Sequence, residues 1–445
     1  MVVGTIIGAS IFVQPSEITG QVPTTPGIYA VWGVAGILTL FGALVCAELA
    51  SAYPRSGGVY VYLREAFSPA VGFLWGWAMF WTMHSGIIAA IAVVCARYVG
   101  FFVELGPLGQ RGVAVAVIVV LSAVNYAGVR QGSALQTAIT LGKVAAVVAI
   151  IVLGFAFGGA AHASVVALTG PPAPADAFPG GALGRGGLAG GAFSAGDFGL
   201  ALVAGLFAFG GWHMVTYNAE ETIAPEVTIP RALVAGTLIV TACYILLNAV
   251  YLYVLPMDLV ASSDRVAADA ADAVFGRGGG AMMSALVVLS TFGALSGIVL
   301  AGPRVYYAMA RDGLVFRWLG ETHPVRRTPH RAIVLQCVWS SVLVATGTYR
   351  ALFTRVIYTE WIFFGLMAVG LVLLRRRSGY RFAYGVWGYP VVPIVFAASA
   401  FAIVANQVAT APLESATGLG MVLVGLPVYL LWSRSGTAAP HEGMG

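Results

Sequence analysis

Apolar residues run along this chain in stretches of about twenty, the length a helix needs to cross the hydrocarbon core of a bilayer. In order, the stretches cover residues 1–21, 27–52, 70–100, 112–128, 134–157, 198–219, 231–255, 281–306, 332–348, 353–374, 390–410 and 416–433. The pattern predicts an all-α polytopic membrane protein of about twelve transmembrane helices. Polar residues collect in the connectors. The longest connector, 158–197, is rich in Gly, Ala and Pro, and the tail 435–445 is polar. The first stretch is short on its leading side, with three residues before Gly4, which points to a misplaced start or a fragment. Its opening, MVVGTIIGASIF, has no charged leader, so no cleavable signal is expected.

Two stretches are interrupted at matching places. The first carries Gly4-Thr5-Ile6-Ile7-Gly8-Ala9-Ser10-Ile11-Phe12, and the sixth carries Phe207-Ala208-Phe209-Gly210-Gly211-Trp212-His213. Glycine disfavours a helix interior by roughly 1 kcal/mol relative to alanine. Backbone polar groups freed at membrane depth are tolerated only where they are buried in protein or line a cavity. Broken helices opening each of two five-span halves point to a binding site near the bilayer midplane. The alternative is that the glycines merely allow close helix packing.

Composition narrows the class further. With 59% hydrophobic and 9% charged residues and a mean hydropathy of +0.89, a soluble domain is excluded. The pI near 9.0 then reflects loop charge rather than a nucleic-acid surface. With the N-terminus inside, Arg97, Arg111, Arg185, Arg265, Arg277, Arg350 and Arg355 face outward, and the other fifteen arginines face the cytoplasm. That bias follows the positive-inside rule. Cys46, Cys95, Cys243 and Cys337 all lie in apolar stretches without metal-ligand spacing, so no disulfide framework, metal or cofactor is expected.

Lys143 is the chain's lone lysine, and it lies in the middle of the fifth stretch. An ammonium there costs roughly 2.5–3.5 kcal/mol on insertion scales, so it is expected to face protein or water in a functional role. The competing reading is a lysine that snorkels to an interface. Near the two breaks, half-helix N-termini suit a carboxylate and freed carbonyls suit an ammonium. A single zwitterion satisfies both, which points to an amino acid.

Five ordered motifs carry a family resemblance over essentially the whole chain. They are GTIIGASIF, CAELASAYPRSGGVYVYLREAF, LFAFGGWHMVTYNAEETIAPEVTIPRAL, AGPRVYYAMARDGLVF, and LLRRR followed by VWGYPVVPIVF. With these motifs the chain resembles the amino acid–polyamine–organocation (APC) transporter superfamily, nearest its L-type and bacterial amino acid permease branches. The resemblance implies two inverted five-helix repeats plus two extra helices, working by alternating access. The repeats would span 1–157 and 198–376, separated by an extracellular loop 158–197. Helices 11 and 12 would then occupy 377–434, ahead of a cytoplasmic tail 435–445.

It also implies site residues. Carried over by position, substrate contacts fall on Ile7, Gly8, Ala9, Ser10 and Ile11, then on Phe207, Ala208, Gly210, Trp212 and His213. Phe207 would lid the site from outside. Lys143 resembles a stand-in for sodium that bridges the first helix to the eighth at Ser290, Thr291 or Ser296. The chain departs from the family's usual glycine at Ser10, which brings a hydroxyl toward the carboxylate site. It also has a histidine at 213, where asparagine or another polar residue is common.

Other polar residues receive weaker assignments. Glu48 and Arg304 are paired as an inner gate, Glu220 and Glu221 are matched to Arg231 or the arginines after the eighth stretch, and Glu360 is assigned to an outer gate. His84 faces either the site or a satisfied neighbour. The broken segments contain no Asp or Glu, so a neutral substrate side chain is expected. The leading reading is a sodium-independent amino acid transporter, proton-coupled or exchanging. A cationic amino acid or polyamine antiporter is the alternative within transport. A membrane enzyme lacks any convergent catalytic constellation, and a non-transporting sensor would bind without flux. The expected partners are an amino acid, the lipid bilayer and, in the proton-coupled reading, protons, with no nucleic acid. A covalent heavy chain, known in some animal relatives, is not expected, since residues 100–112 hold no cysteine.

Overall fold

The structure is a computed structural model and describes residues 2–8, 10–127, 130–169, 193–326, 328–346 and 349–434. Among these residues every regular element is helical. The first half comprises α1 (Val2–Ile6), α2 (Gln14–Gln21), α3 (Thr25–Ala52), α4 (Val59–Ala66), α5 (Pro69–Ala78), α6 (His84–Val99), α7 (Pro107–Ala127) and α8 (Arg130–Thr169). The second comprises α9 (Ala195–Ala208), α10 (Pro225–Val254), α11 (Met257–Ser262), α12 (Val266–Phe275), α13 (Arg277–Arg311), α14 (His330–Thr346), α15 (Tyr349–Leu374), α16 (Val391–Thr410) and α17 (Pro412–Arg434).

Nine helices among the described residues are long and apolar enough to cross a bilayer, and His330–Thr346 and Tyr358–Leu374 are shorter apolar helices. They occupy the positions of the second to twelfth predicted stretches. The first stretch is the pair α1 and α2 on either side of a break. The third stretch is continuous only because a π turn, Met79–Met83, joins α5 to α6. Some elements differ from expectation. α8 runs on to Thr169, past the predicted end at 157, and α4, α11 and α12 occupy segments read as connectors.

Helix starts follow local chemistry. Thr24 accepts a hydrogen bond from Gly27 N (3.3 Å) at the head of α3. Ser194 and Asp197 form a reciprocal capping box at the head of α9, with Ser194 Oγ accepting from Asp197 N and Asp197 Oδ2 accepting from Ser194 N. Proline opens α5, α10 and α17, where its missing N–H would have no helical partner. Packing places α1 against α8, α10 and α13, and α9 against α2 and α3. α10 lies close along α3: a Cβ on Gly36 would fall 2.4 Å from Thr241 Cγ2.

The turn before α4 requires glycine. Gly57 and Gly58 have φ of 110° and 51°. A Cβ on Gly58 would lie 2.2 Å from Thr216 Oγ1 and 2.7 Å from the Tyr217 ring. Gly58→Ala therefore combines backbone strain with overpacking and is expected to cost about 2 kcal/mol. The readout is a lowered thermal midpoint for the detergent-solubilised protein; an unchanged midpoint would remove this turn as a structural constraint.

Candidate functional site

Both predicted breaks are present, and they face each other. In the first, Ile7 N still donates to Val3 O (2.9 Å), but Gly8 N turns back to Ile6 O (2.7 Å) and ends the helix. A short 3₁₀ turn, Ser10–Phe12, then leads toward α2. In the second, α9 stops at Ala208 and Gly210 N donates to Phe207 O (3.0 Å). Gly211 takes a left-handed φ of 93° before a 3₁₀ run, Trp212–Glu221, that kinks at Asn218. A Cβ on Gly211 would sit 3.2 Å from Thr5 O. Glycine here permits both the left-handed turn and the close approach of the two breaks.

Side chains from other helices satisfy the carbonyls these breaks release. Lys143 Nζ, from α8 and 5% exposed, donates to Gly4 O (3.4 Å) and Ile7 O (3.3 Å). The Tyr244 hydroxyl, from α10, lies 2.9 Å from Ile6 O and 3.0 Å from Ala208 O, one carbonyl from each break. Thr5 Oγ1 lies 2.9 Å from Val2 O and 3.3 Å from Gly211 O. An aromatic trio holds Tyr244 in place: its ring centroid is 5.6 Å from Trp32, edge-on, and 5.1 Å from Phe209.

A small cavity of about 10 Å³, room for about one water, lies between the breaks. The first break contributes Thr5, Ile6, Gly8 and Ser10, and the second contributes Phe207 and Gly210. Ile87 and Ile91 from α6 and Ile298 from α13 form apolar walls, and Glu360 from α15 adds a carboxylate.

Gly8, Ser10, Phe207 and Gly210 thus gather at the cavity, while other carried-over residues point elsewhere. Ile7 and Ile11 are buried, with the Ile7 carbonyl turned to Lys143. The Ala208 carbonyl is turned to Tyr244. Ala9 lies outside the described residues. Trp212 and His213 begin the 3₁₀ run and pack away from the cavity. The His213 ring sits edge-on to Trp75, Trp212, Tyr217 and Phe364 at 5.0–6.0 Å. His84 reaches a satisfied neighbour, with Nε2 donating to Ile298 O (2.8 Å).

The expected bridge from Lys143 to the eighth span is not made, because its ammonium is taken up by the first break. Thr291 Oγ1 donates to Val287 O within its own helix, Ser290 Oγ has no partner among the described residues, and Ser296 O accepts from Asn125 Nδ2 (3.5 Å). Nor does Glu48 meet Arg304. Glu48, with a fully buried side chain, accepts two hydrogen bonds from Arg375 (2.7 and 2.5 Å) and a third from Val386 N (2.7 Å). Those bonds raise the Arg375 pKa, and its guanidinium also stacks over Tyr389 at 3.9 Å. Arg304 donates to Leu300 O (2.7 Å). Glu220 accepts from Ser56 N (3.2 Å), and the Glu221 side chain lies outside the described residues.

Sequence reasoning missed Tyr244 and the three isoleucine walls, which no motif marks, and placed Glu360 at a gate rather than in the cavity. For Glu360 a signal did exist, since it is the lone acidic residue in the tenth stretch.

A helical bundle with many spans and two facing breaks around a small, polar-edged cavity defines a membrane transporter of small molecules. The chain belongs to the amino acid permease family of the APC superfamily, whose family model matches residues 1–431. It is 31% identical over 433 residues to the serine/threonine exchanger SteT of Bacillus subtilis, covering 96% of this chain and 94% of that one. It is 31% identical over 380 residues to the b(0,+)-type amino acid transporter 1 of Homo sapiens, covering 84% and 74%. To the cystine/glutamate transporter of Homo sapiens it is 27% identical over 439 residues, covering 97% and 83%. The protein is an amino acid transporter embedded in a membrane by multiple spans, and it is not an enzyme.

Two outcomes follow from this geometry. Lys143→Met withdraws the donor from Gly4 O and Ile7 O and is expected to lower amino acid uptake at least about tenfold, the effect of roughly 1.4 kcal/mol, with the protein still reaching the membrane. Uptake within twofold of wild type would show that the break does not need the ammonium. Arg375→Leu strands the Glu48 carboxylate and is expected to cost about 3–5 kcal/mol, read as loss of monodisperse protein on heating. The Glu48→Leu/Arg375→Leu pair should be less damaged than the single variant.

Proposed function

We propose that this chain is a sodium-independent exchanger of neutral amino acids that works by alternating access in a cell membrane, with both termini cytoplasmic. One observation supports the sodium independence: Lys143 Nζ donates to the Gly4 and Ile7 carbonyls, occupying oxygens that a cation would otherwise use as ligands. The printed function of the Bacillus subtilis relative, a serine/threonine exchanger, supports exchange. Proton-coupled symport is the alternative coupling.

In this reading residues 1–157 and 198–376 are inverted repeats that rock about the paired breaks. The substrate carboxylate lies toward Gly8 and Ser10, and its ammonium lies toward the backbone at Phe207 and Gly210, with Phe207 as the lid. No covalently attached partner is needed, since the four cysteines fall at buried or half-buried positions. One observation favours the competing cationic or polyamine antiport, namely the Glu360 carboxylate on the cavity wall. The apolar walls of Ile87, Ile91 and Ile298 weigh against a long cationic side chain.

Purified protein in proteoliposomes provides the test. Radiolabelled alanine, serine or leucine is expected to enter vesicles preloaded with unlabelled neutral amino acid, at equal rates in sodium and potassium buffers. Empty vesicles should take up far less. Strong uptake of arginine without alanine, serine or leucine would replace this reading with the cationic one, and a dependence on sodium would remove the role given to Lys143.

A further inference from the structure

Glu360 is the cavity residue whose chemistry the broken helices do not use. It is 3% exposed on α15, and it makes no hydrogen bond or ion pair among the described residues. A carboxylate inside a membrane span is expensive to leave without a partner. Two other acidic side chains, Glu48 and Asp312, are partnered: Glu48 by Arg375, and Asp312 by Arg64 and Tyr60. Glu360 instead faces the small space bounded by Ile87, Ile91, Ile298 and Phe207, across from the first break. Beside Thr5 and Ser10 on the first break, this acid is the polar side chain that the packed helices bring to the space.

We propose that Glu360 is the side-chain subsite of the transporter, accepting a hydrogen bond from a hydroxyl on the substrate's side chain and so selecting hydroxyl-bearing neutral amino acids over apolar ones of the same shape. The inference rests on the transport reading above. A carboxylate and a neutral carboxyl both offer an acceptor oxygen, so the subsite works in either protonation state. The backbone at the breaks addresses groups common to all amino acids and cannot discriminate among side chains. An apolar side chain would fill the space and leave the acceptor unmet, in a site with little room for water to replace the bond. Sites built to hydrogen-bond a substrate hydroxyl reject the analogue lacking it far more strongly than apolar pockets reject a missing methylene.

Threonine and valine have nearly the same shape and differ by a hydroxyl for a methyl, so they isolate the effect. In counterflow into alanine-loaded proteoliposomes, wild-type protein is expected to show a KM for valine at least about tenfold above that for threonine. Glu360→Gln keeps an acceptor oxygen and should keep most of that ratio. Glu360→Met removes the acceptor and should bring the ratio close to one, whatever its overall rate. If Glu360→Met fails to insert, the wild-type and Glu360→Gln ratios still decide. A wild-type ratio near one, with alanine exchanged normally, overturns the subsite and leaves the transport reading standing. Glu360→Met with the wild-type ratio intact also overturns it, including the case where only pH dependence is lost. A wild-type protein that exchanges no neutral amino acid at all overturns the transport reading itself.

Discussion

A carbonyl oxygen released from a helix in the middle of a bilayer must find a donor inside the protein, because no water is there to supply one. In this chain that demand arises twice, at Ile6–Gly8 and at Ala208–Gly211, and three side chains meet it. Lys143 takes Gly4 and Ile7, the single Tyr244 hydroxyl proton is shared between Ile6 and Ala208, and Thr5 reaches Gly211. The cavity exists because these donors hold both breaks open rather than letting either one reclose into helix. Tyr244 matters most for the link between them, since its hydroxyl lies within hydrogen-bond distance of both segments.

The same contacts constrain movement. Thr5 and Tyr244 tie the first break to the second, and the absence of a Cβ at Gly211 lets Thr5 O approach closely. Relative motion of the two segments has to exchange these bonds for others. Lys143 differs, since among the described residues its hydrogen bonds go to the first segment alone. An ammonium so placed stabilises the unwound backbone without bracing it against the eighth span.

Away from the cavity, the buried ion pair of Glu48 and Arg375 fixes the end of α3 against the segment after α15. It is made tolerable by a bidentate geometry, a third hydrogen bond from Val386 N and the stacked Tyr389 ring. Without those additions, desolvation would exceed the attraction between the charges. An exposed pair such as Arg331 with Glu321 contributes only about 0–1 kcal/mol. Order at the arginine-rich end therefore depends on the buried pair.

The apolar periodicity settled the helical class and the approximate span positions, because a bilayer demands about twenty apolar residues of any helix that crosses it. The paired glycines settled where two helices break, and Gly8, Ser10, Phe207 and Gly210, carried over by position from the family resemblance, line the cavity that the breaks form. Partners were not legible in the same way. Glu48 meets Arg375 rather than Arg304, Trp212 and His213 turn into an aromatic cluster, and Tyr244 caps both breaks from a span with no motif. Each of these depends on which helices lie side by side, and on the rotation of each about its axis. A chain with apolar residues on nearly every face carries little periodic signal for that rotation. Close packing of α10 on α3 and of α15 on α6 and α9 decided it, and that packing brought Tyr244 and Glu360 to the two breaks.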